Sequence, residues 1–365
     1  MLTVHPTLLI GPSDWDAERM PRAEFARRLD ALWAAYPDAE RAIVFGNSRH
    51  HAELAYFTNL VPKLGPALAL LARGGEHRMF VGDAANMLGA ARPLTFIENL
   101  ASMKDAAAAV TAGKSRSLVI GADYMPTALR AIIMEAAGKE TSDATAAVWR
   151  LMARKSSHEL AAIDAAVKLT GVARKAMRDA LMAGASISDV ILSGERAANA
   201  AGAQDVRTLV SPDGGRTLRP LFAPFDQSVD PLLAYLAVRR FNYWGECFPL
   251  FTQRSEPTRI CEKAWDALVS ALSAIKAGVG VDEIARLIAG AIAPHQVHPV
   301  TASAFVQRMG LSLDEPPYTD AGAIFEHGEV YSLRIGATDE QRGGLICSRM
   351  FIVGKDGIAA FDEET

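Results

Sequence analysis

Four short segments within residues 305–354 carry side chains able to do chemistry: Val306-Gln307-Arg308-Met309-Gly310-Leu311, Asp314-Glu315-Pro316-Pro317-Tyr318, Gly328-Glu329-Val330-Tyr331-Ser332-Leu333-Arg334-Ile335-Gly336 and Gly343-Gly344-Leu345-Ile346-Cys347-Ser348-Arg349. An arginine such as Arg334 can fork onto a carboxylate through two parallel hydrogen bonds. Carboxylates such as Asp314, or Glu246 further upstream, can accept from an amine or act as a general base, and Tyr235 or Gln307 can polarise a carbonyl. Cys247 and Cys347 add thiols; beside Arg349 or Arg334 a thiolate would be a nucleophile if it had exposure and a positioned base, and otherwise a strand cysteine is a small core residue. Such a set suits the recognition of a small charged molecule.

The elements that must position these groups are legible in the apolar periodicity. Short β-type runs at 42–45, 67–71, 79–81 and 118–120 alternate with helical patterns at 22–35, 126–137 and 143–152, which predicts an α/β domain over residues 1–153. From 154 onward the pattern changes. A long amphipathic helix over 157–182 places Leu160, Ile163, Val167, Val172 and Met177 on an apolar stripe, and a second helix follows over 189–201. Strands are expected at 206–210 and 233–241, helices again at 262–275 and 281–292, and strands at 330–335 and 345–353.

Composition narrows the classes. A chain of 365 residues exceeds the usual size of a single core, so two domains are expected. Half of the residues are hydrophobic and 22% charged, enough to bury a real core and too apolar for a disordered or fibrous chain. The formal net charge of -4 offers no general field for a polyanion, which argues against nucleic acid as a partner. Three cysteines, Cys247, Cys261 and Cys347, are too scattered for a disulfide framework or a paired-cysteine zinc site. With no leader pattern at the start and no apolar run of membrane-spanning length, a cytoplasmic protein without a membrane partner is expected.

An internal repeat underlies the second half. Ala183-Gly184-Ala185-Ser186-Ile187-Ser188-Asp189-Val190 returns in outline as Ala277-Gly278-Val279-Gly280-Val281-Asp282-Glu283-Ile284. Each time glycine ends one helix and an acidic residue opens the next, and strands follow. Two helix–helix–strand units predict a pseudo-symmetric core with a site between its halves.

The repeat, the Arg154-Lys155-Ser156-Ser157-His158-Glu159-Leu160 entry to the long helix and the frame over 305–354 resemble the creatinase, prolidase and aminopeptidase P family. In the N-terminal half, Asn47-Ser48-Arg49-His50-His51-Ala52-Glu53-Leu54-Ala55-Tyr56-Phe57-Thr58-Asn59 is similar to that family's N-terminal segment. The resemblance covers nearly the whole chain. It implies a small α/β domain (1–153) and a pita-bread catalytic-type domain (154–365), hence a mixed α/β (α+β) fold. It also implies a homodimer in which the N-terminal domain of one subunit approaches the site of the other. Tyr56, Phe57 and Lys63 are then candidate contributors across that interface, and Arg49-His50-His51 reads as a solvated turn.

Peptidases of this family hold two divalent metals with two aspartates, a histidine and two glutamates, a hard-oxygen set suited to activating water. In register, the two aspartate positions fall on Tyr235 and Glu246. The histidine position falls on Gln307, the later histidine before Glu-Pro on Asp314, and the glutamates on Arg334 and Ser348. Only Glu246 would still bind a metal strongly, and Arg334 would put a fixed positive charge where the cations lie. No metal and no other cofactor is therefore expected. Creatinase itself works without a metal through a histidine, but here Leu221 occupies that place and cannot move a proton. His295 and His298 are further candidates for proton transfer.

The six positions remain polar, although an emptied metal site would drift toward apolar filling, since unpaired buried polar groups cost about a few kcal/mol each. Two accounts stand side by side. In the first, Glu246, Asp314 and Tyr235 are catalytic and Arg334, Gln307, Ser348, Tyr56 and Lys63 bind a substrate. In the second, Arg334 pairs with Glu246 or Asp314 as structural repair. The leading functional expectation is a metal-independent hydrolase or lyase acting on a small amide-, amidine- or amino-acid-like compound. The alternatives are an inactive pseudo-peptidase serving as a dimeric binding protein and, third, an Xaa-Pro peptidase with an atypical metal site.

Overall fold

The structure, a computed structural model, describes residues 14–82, 85–112, 116–221, 230–252, 259–292, 296–297, 305–316, 322–339 and 343–362. His295 and His298 lie outside these described residues. The chain divides into two compact units, Met1–Met152 and Ala153–Thr365.

In the first unit the elements run α1 (Arg22–Ala35), β1 (Arg41–Gly46), α2 (Ala52–Thr58), β2 (Ala67–Ala72), β3 (Arg78–Val81), α3 (Ala85–Ala91), β4 (Asn99–Ala101), α4 (Ala106–Ala112), β5 (Ser117–Ile120), α5 (Thr127–Ala137), β6 (Thr141–Asp143) and α6 (Thr145–Ala153). They form a six-stranded mixed sheet in the order β4-β3-β2-β1-β5-β6, with β1 antiparallel to β2 and parallel to β5. Every residue of β1 and β5 is buried, which is why both read as unbroken apolar runs rather than alternating ones. Ile43, Phe45 and Val119 pack with Val110 and Ile133 on one face of this sheet.

In this unit the candidate contact Tyr56 is buried and the turn before it is only partly solvated. Tyr56 is 1% exposed, and the Arg28 guanidinium lies 4.4 Å from its ring centroid while donating to its backbone carbonyl. It is buried, as is the whole span of α2. The Arg49-His50-His51 turn is only partly solvated. The Asn47 side chain accepts from the Arg49 and His50 amides, His50 stacks on Tyr124 at 4.0 Å, and His51 is buried. Lys63 is exposed.

The second unit opens with α7 (Ser157–Met182) and α8 (Ile187–Ala200), then β7 (Asp205–Val210), β8 (Leu232–Arg240), β9 (Tyr243–Cys247) and β10 (Leu250–Phe251). Its second half repeats the scheme: α9 (Arg259–Ala274), α10 (Val281–Ile292), β11 (Gln296–Val297), β12 (Val306–Arg308), β13 (Val330–Asp339), β14 (Gly343–Val353) and β15 (Ile358–Ala360). In the first half β8 lies between β10 and β7 and also pairs with β9; in the second the order is β11-β13-β14-β15, with β12 also on β13. Gly184 and Gly278, at φ +78° and +90°, make the left-handed turns between the paired helices, as the repeat requires.

Local chemistry sets the start of α7. The Ser156 hydroxyl accepts from the Glu159 amide and the Glu159 carboxylate accepts from the Ser156 amide, a reciprocal capping box worth about 1 kcal/mol. Glu159 also receives the Tyr243 hydroxyl at 3.0 Å, which ties this cap to β9.

Helix α7 lies directly on β9 because Gly245 has no side chain. A Cβ built there would stand 2.6 Å from the Val167 amide nitrogen and 2.7 Å from the Ala166 carbonyl carbon, backbone that cannot rotate away. Gly245→Ala is thus expected to cost at least about 1–3 kcal/mol by pushing the helix off the strand, read as a lowered urea midpoint. An unchanged midpoint would refute this close-approach argument.

Candidate functional site

Strands β8 and β9 form a hairpin through Phe241 and Asn242, both at positive φ (+50° and +69°), the two-residue geometry that matches strand twist. Its register sets Ala237 opposite Glu246, so Tyr235 lies diagonally across from Glu246 on the same face. On β13, Ser332 and Arg334 share a face because they are two residues apart, with Gln307 of β12 opposite Ser332 and Ser348 of β14 opposite Arg334. The Glu246 amide contacts the Met350 sulfur at 3.2 Å, placing β9 beside β14.

These strands bring Glu246 and Arg334 together at the centre, 1% and 4% exposed. Arg334 forks onto the carboxylate, Nε donating to Oε1 at 2.6 Å and Nη2 to Oε2 at 2.7 Å. The Ser332 hydroxyl donates to Oε1 at 2.6 Å and the Tyr235 hydroxyl to Oε2 at 3.0 Å. A carboxylate has about four acceptor positions on its two oxygens. Four donors from the protein fill them.

The surroundings hold these groups in one protonation state. Burial alone would lower the Arg334 pKa, but the touching Glu246 carboxylate more than reverses this and holds it above its ordinary value. Burial and then the Glu246 charge push the Tyr235 phenol well above its usual range, so it stays a donor. A raised folded pKa contributes its stability below the unfolded value and loses it as pH rises beyond. Wild type should therefore lose up to about 1.4 kcal/mol per pH unit through this group above about pH 10. In Tyr235→Phe that part of the alkaline slope should vanish, while about 1 kcal/mol is lost near neutrality with the hydrogen bond. Urea titrations near pH 8 and pH 11 would check it; equal slopes would refute the assignment.

Around this pair, the Arg334 Nη1 approaches the Gln307 carbonyl at 3.4 Å, and the Gln307 amide donates to Asp314. Gln307 is buried; Asp314 is exposed, its backbone amide on the Ser312 hydroxyl at 3.3 Å. Ser348 is half-buried on β14. So Tyr235, Glu246, Gln307, Asp314 and Arg334 form one connected hydrogen-bonded group, with Ser348 beside it in the ladder. Between the two pairings left open in the sequence, the direct partner of Arg334 is Glu246. Leu221, at the place expected of a histidine, packs against a cluster containing Met177, Ile191 and Leu232.

Cys347 does not act with this group. Its thiol lies 3.5 Å from the Ala264 carbonyl and 3.8 Å from that of Ile335, and burial pushes its pKa up to about 12. It is neutral at physiological pH, and Cys247 is buried, so neither is poised as a nucleophile.

Sequence reasoning missed Ser332 and a nearby ion pair. Ser332 was legible as the residue two before Arg334, hence on the same strand face. Lys155 and Glu315 stand in two quoted motifs yet meet as a buried ion pair, Nζ to Oε2 at 2.5 Å with both side chains 1% exposed. Glu315 Oε1 also accepts from the Leu311 amide at 2.8 Å, which fixes the loop preceding β13 that carries Asp314. No sequence signal links positions so far apart.

Among the described residues, no group of three or more His, Cys, Asp or Glu side chains gathers as a metal-binding cluster would. No described helix is long and apolar enough to cross a membrane.

A family model described as "Metallopeptidase family M24" matches residues 133–355. No curated protein matches the chain at a significant level. Among solved structures, the prolidase from Pyrococcus horikoshii OT3 superposes with a TM-score of 0.74 at 15% identity, over 94% of this chain and 99% of that one. The X-Pro aminopeptidase from Thermotoga maritima MSB8 does so with a TM-score of 0.75 at 14% identity, over 93% and 97%. Zinc-substituted E. coli aminopeptidase P, in complex with product, gives 0.71 at 16%, over 93% and 94%. At such identities the likeness is one of fold, the pita-bread fold with its N-terminal α/β domain.

Proposed function

Because this chain belongs to metallopeptidase family M24, we propose that it keeps the fold of a hydrolase family while working without a di-metal centre, as a binding protein that does not cleave peptides. The observation that carries this reading is the saturation of Glu246 by Arg334, Ser332 and Tyr235. The residues present do not fit a pair of divalent cations. Of the positions that the resemblance aligns with metal ligands, one carboxylate is committed to a guanidinium, and that guanidinium brings a fixed positive charge into the space. The same saturation takes from Glu246 the free lone pair that a general base needs.

A second reading keeps catalysis: a metal-independent hydrolase or lyase acting on a small amide-, amidine- or amino-acid-like compound. Asp314 favours it, being an exposed carboxylate beside Gln307 that keeps room for a substrate proton. In both readings the chain works as a homodimer in the cytoplasm, with Lys63 and Ser348 as candidate ligand contacts and no nucleic acid or membrane partner.

Purified protein, assayed for bound metal and for cleavage of Xaa-Pro dipeptides with added manganese, cobalt or zinc, should show neither stoichiometric metal nor metal-dependent turnover. Near-stoichiometric metal that a chelator removes together with activity would overturn the proposal and restore the peptidase reading. Metal-free turnover of a small amide or amidine, abolished in Asp314→Asn, would establish the second reading over the first.

A further inference from the structure

The alternation of side chains along β9 and β14 gives this pair of strands a second face. Glu246, Ser348 and Met350 belong to the side of the Arg334 pair; Cys247, Cys347 and Arg349 point the other way, toward the helices. Cys247 packs with Leu169 and Ala173 of α7, and Cys347 touches the Ala264 carbonyl of α9. Between α7 and α9 lies a cavity of about 410 Å³ lined by all three cysteines of the chain.

The lining has two characters. Arg174 and Arg178, one turn apart on α7, and Arg349 from β14 bring three guanidinium groups, against Glu262 as the acidic residue among the described lining. Phe248 and Trp265 bring aromatic surface; Phe248 is 8% exposed, whereas Trp265 remains 49% exposed, a large apolar side chain left open. A cluster of arginines favours a carboxylate or phosphate, since the planar fork matches both oxyanions. Aromatic walls favour a flat or alkyl body. The volume lies within the roughly 300–1,000 Å³ range of small-molecule sites.

We propose that this cavity is a binding site for a small anionic molecule with an aromatic or alkyl body, its oxyanion held by Arg174, Arg178 and Arg349 and its apolar part against Phe248 and Trp265. Phe248 and Ser348 carry its lining to the edge of the group around Arg334, with the Phe248 and Tyr235 ring centroids 4.9 Å apart.

Calorimetric titration of the full chain with 1-naphthoate, octanoate and 1-naphthyl phosphate, and with neutral 1-naphthalenemethanol, tests it. At least one anion should bind one to one, at least about tenfold tighter than the neutral compound. Arg178→Gln, a change at an exposed position that leaves the core intact, should weaken that binding by about tenfold. The bound anion should also slow alkylation of Cys261 by iodoacetamide, read by mass spectrometry. Preference for the phosphate over the carboxylates, or the reverse, assigns the head group within the proposal. Binding of none of the three anions would overturn it. So would affinity unchanged in Arg178→Gln and Arg349→Gln together, or Cys261 alkylation indifferent to the ligand.

Discussion

Replacing Arg334 with methionine is expected to destabilise this protein by about 3–5 kcal/mol, because it leaves the Glu246 carboxylate buried with its countercharge gone. The Ser332 and Tyr235 hydroxyls would remain on its oxygens, but two neutral donors do not replace a forked guanidinium. Most of the loss should disappear when Glu246→Leu is added, since an apolar pair of similar volume is often no worse than the ion pair it replaces. A double-mutant cycle by urea denaturation measures the coupling. If Arg334→Met costs less than about 1 kcal/mol, the pair is solvated rather than structural. Glu246 would then be open to a ligand, and the catalytic account would regain its base.

Lys155→Met should be nearly as costly, at about 3–5 kcal/mol, for a related reason. It strands the Glu315 carboxylate, 1% exposed, beside a single remaining donor at the Leu311 amide. The damage should also be local. Glu315 binds the backbone of the loop at two points, its side chain on Leu311 and its amide on the Arg308 carbonyl, so Leu311 should lose hydrogen-exchange protection well before global unfolding. There is no room for repair nearby: a Cβ on Gly310 would collide with the Glu315 carboxylate and the Lys155 ammonium. Unchanged exchange at Leu311 in Lys155→Met would show that the pair does not organise the loop.

Both effects concern contacts that only partly announce themselves in the chain. The apolar stripe of α7 and the runs of β1 and β14 mark their spans almost to the residue, since period and capping are local properties. The repeat at Gly184 and Gly278 likewise announced two halves, because a left-handed turn after a helix is written in a few neighbouring positions. Tyr56 went the other way. It stands in a motif suggestive of an exposed contact, yet α2 buries it beneath Arg28, a residue 28 positions earlier.

The sequence by itself determined the longer helices and strands, the duplicated second half and most of the polar residues at the centre, all of which depend on local pattern and residue type; β9, β12 and Ser332 were not among them. It left open whether Arg334 would meet Glu246, Asp314 or a ligand. Only the tertiary structure decided that. The hairpin register and the ladder between β13 and β14 bring residues 88 positions apart within 2.6 Å. The choice among partners is one of distance and lone pairs, and neither is a property of any segment taken alone.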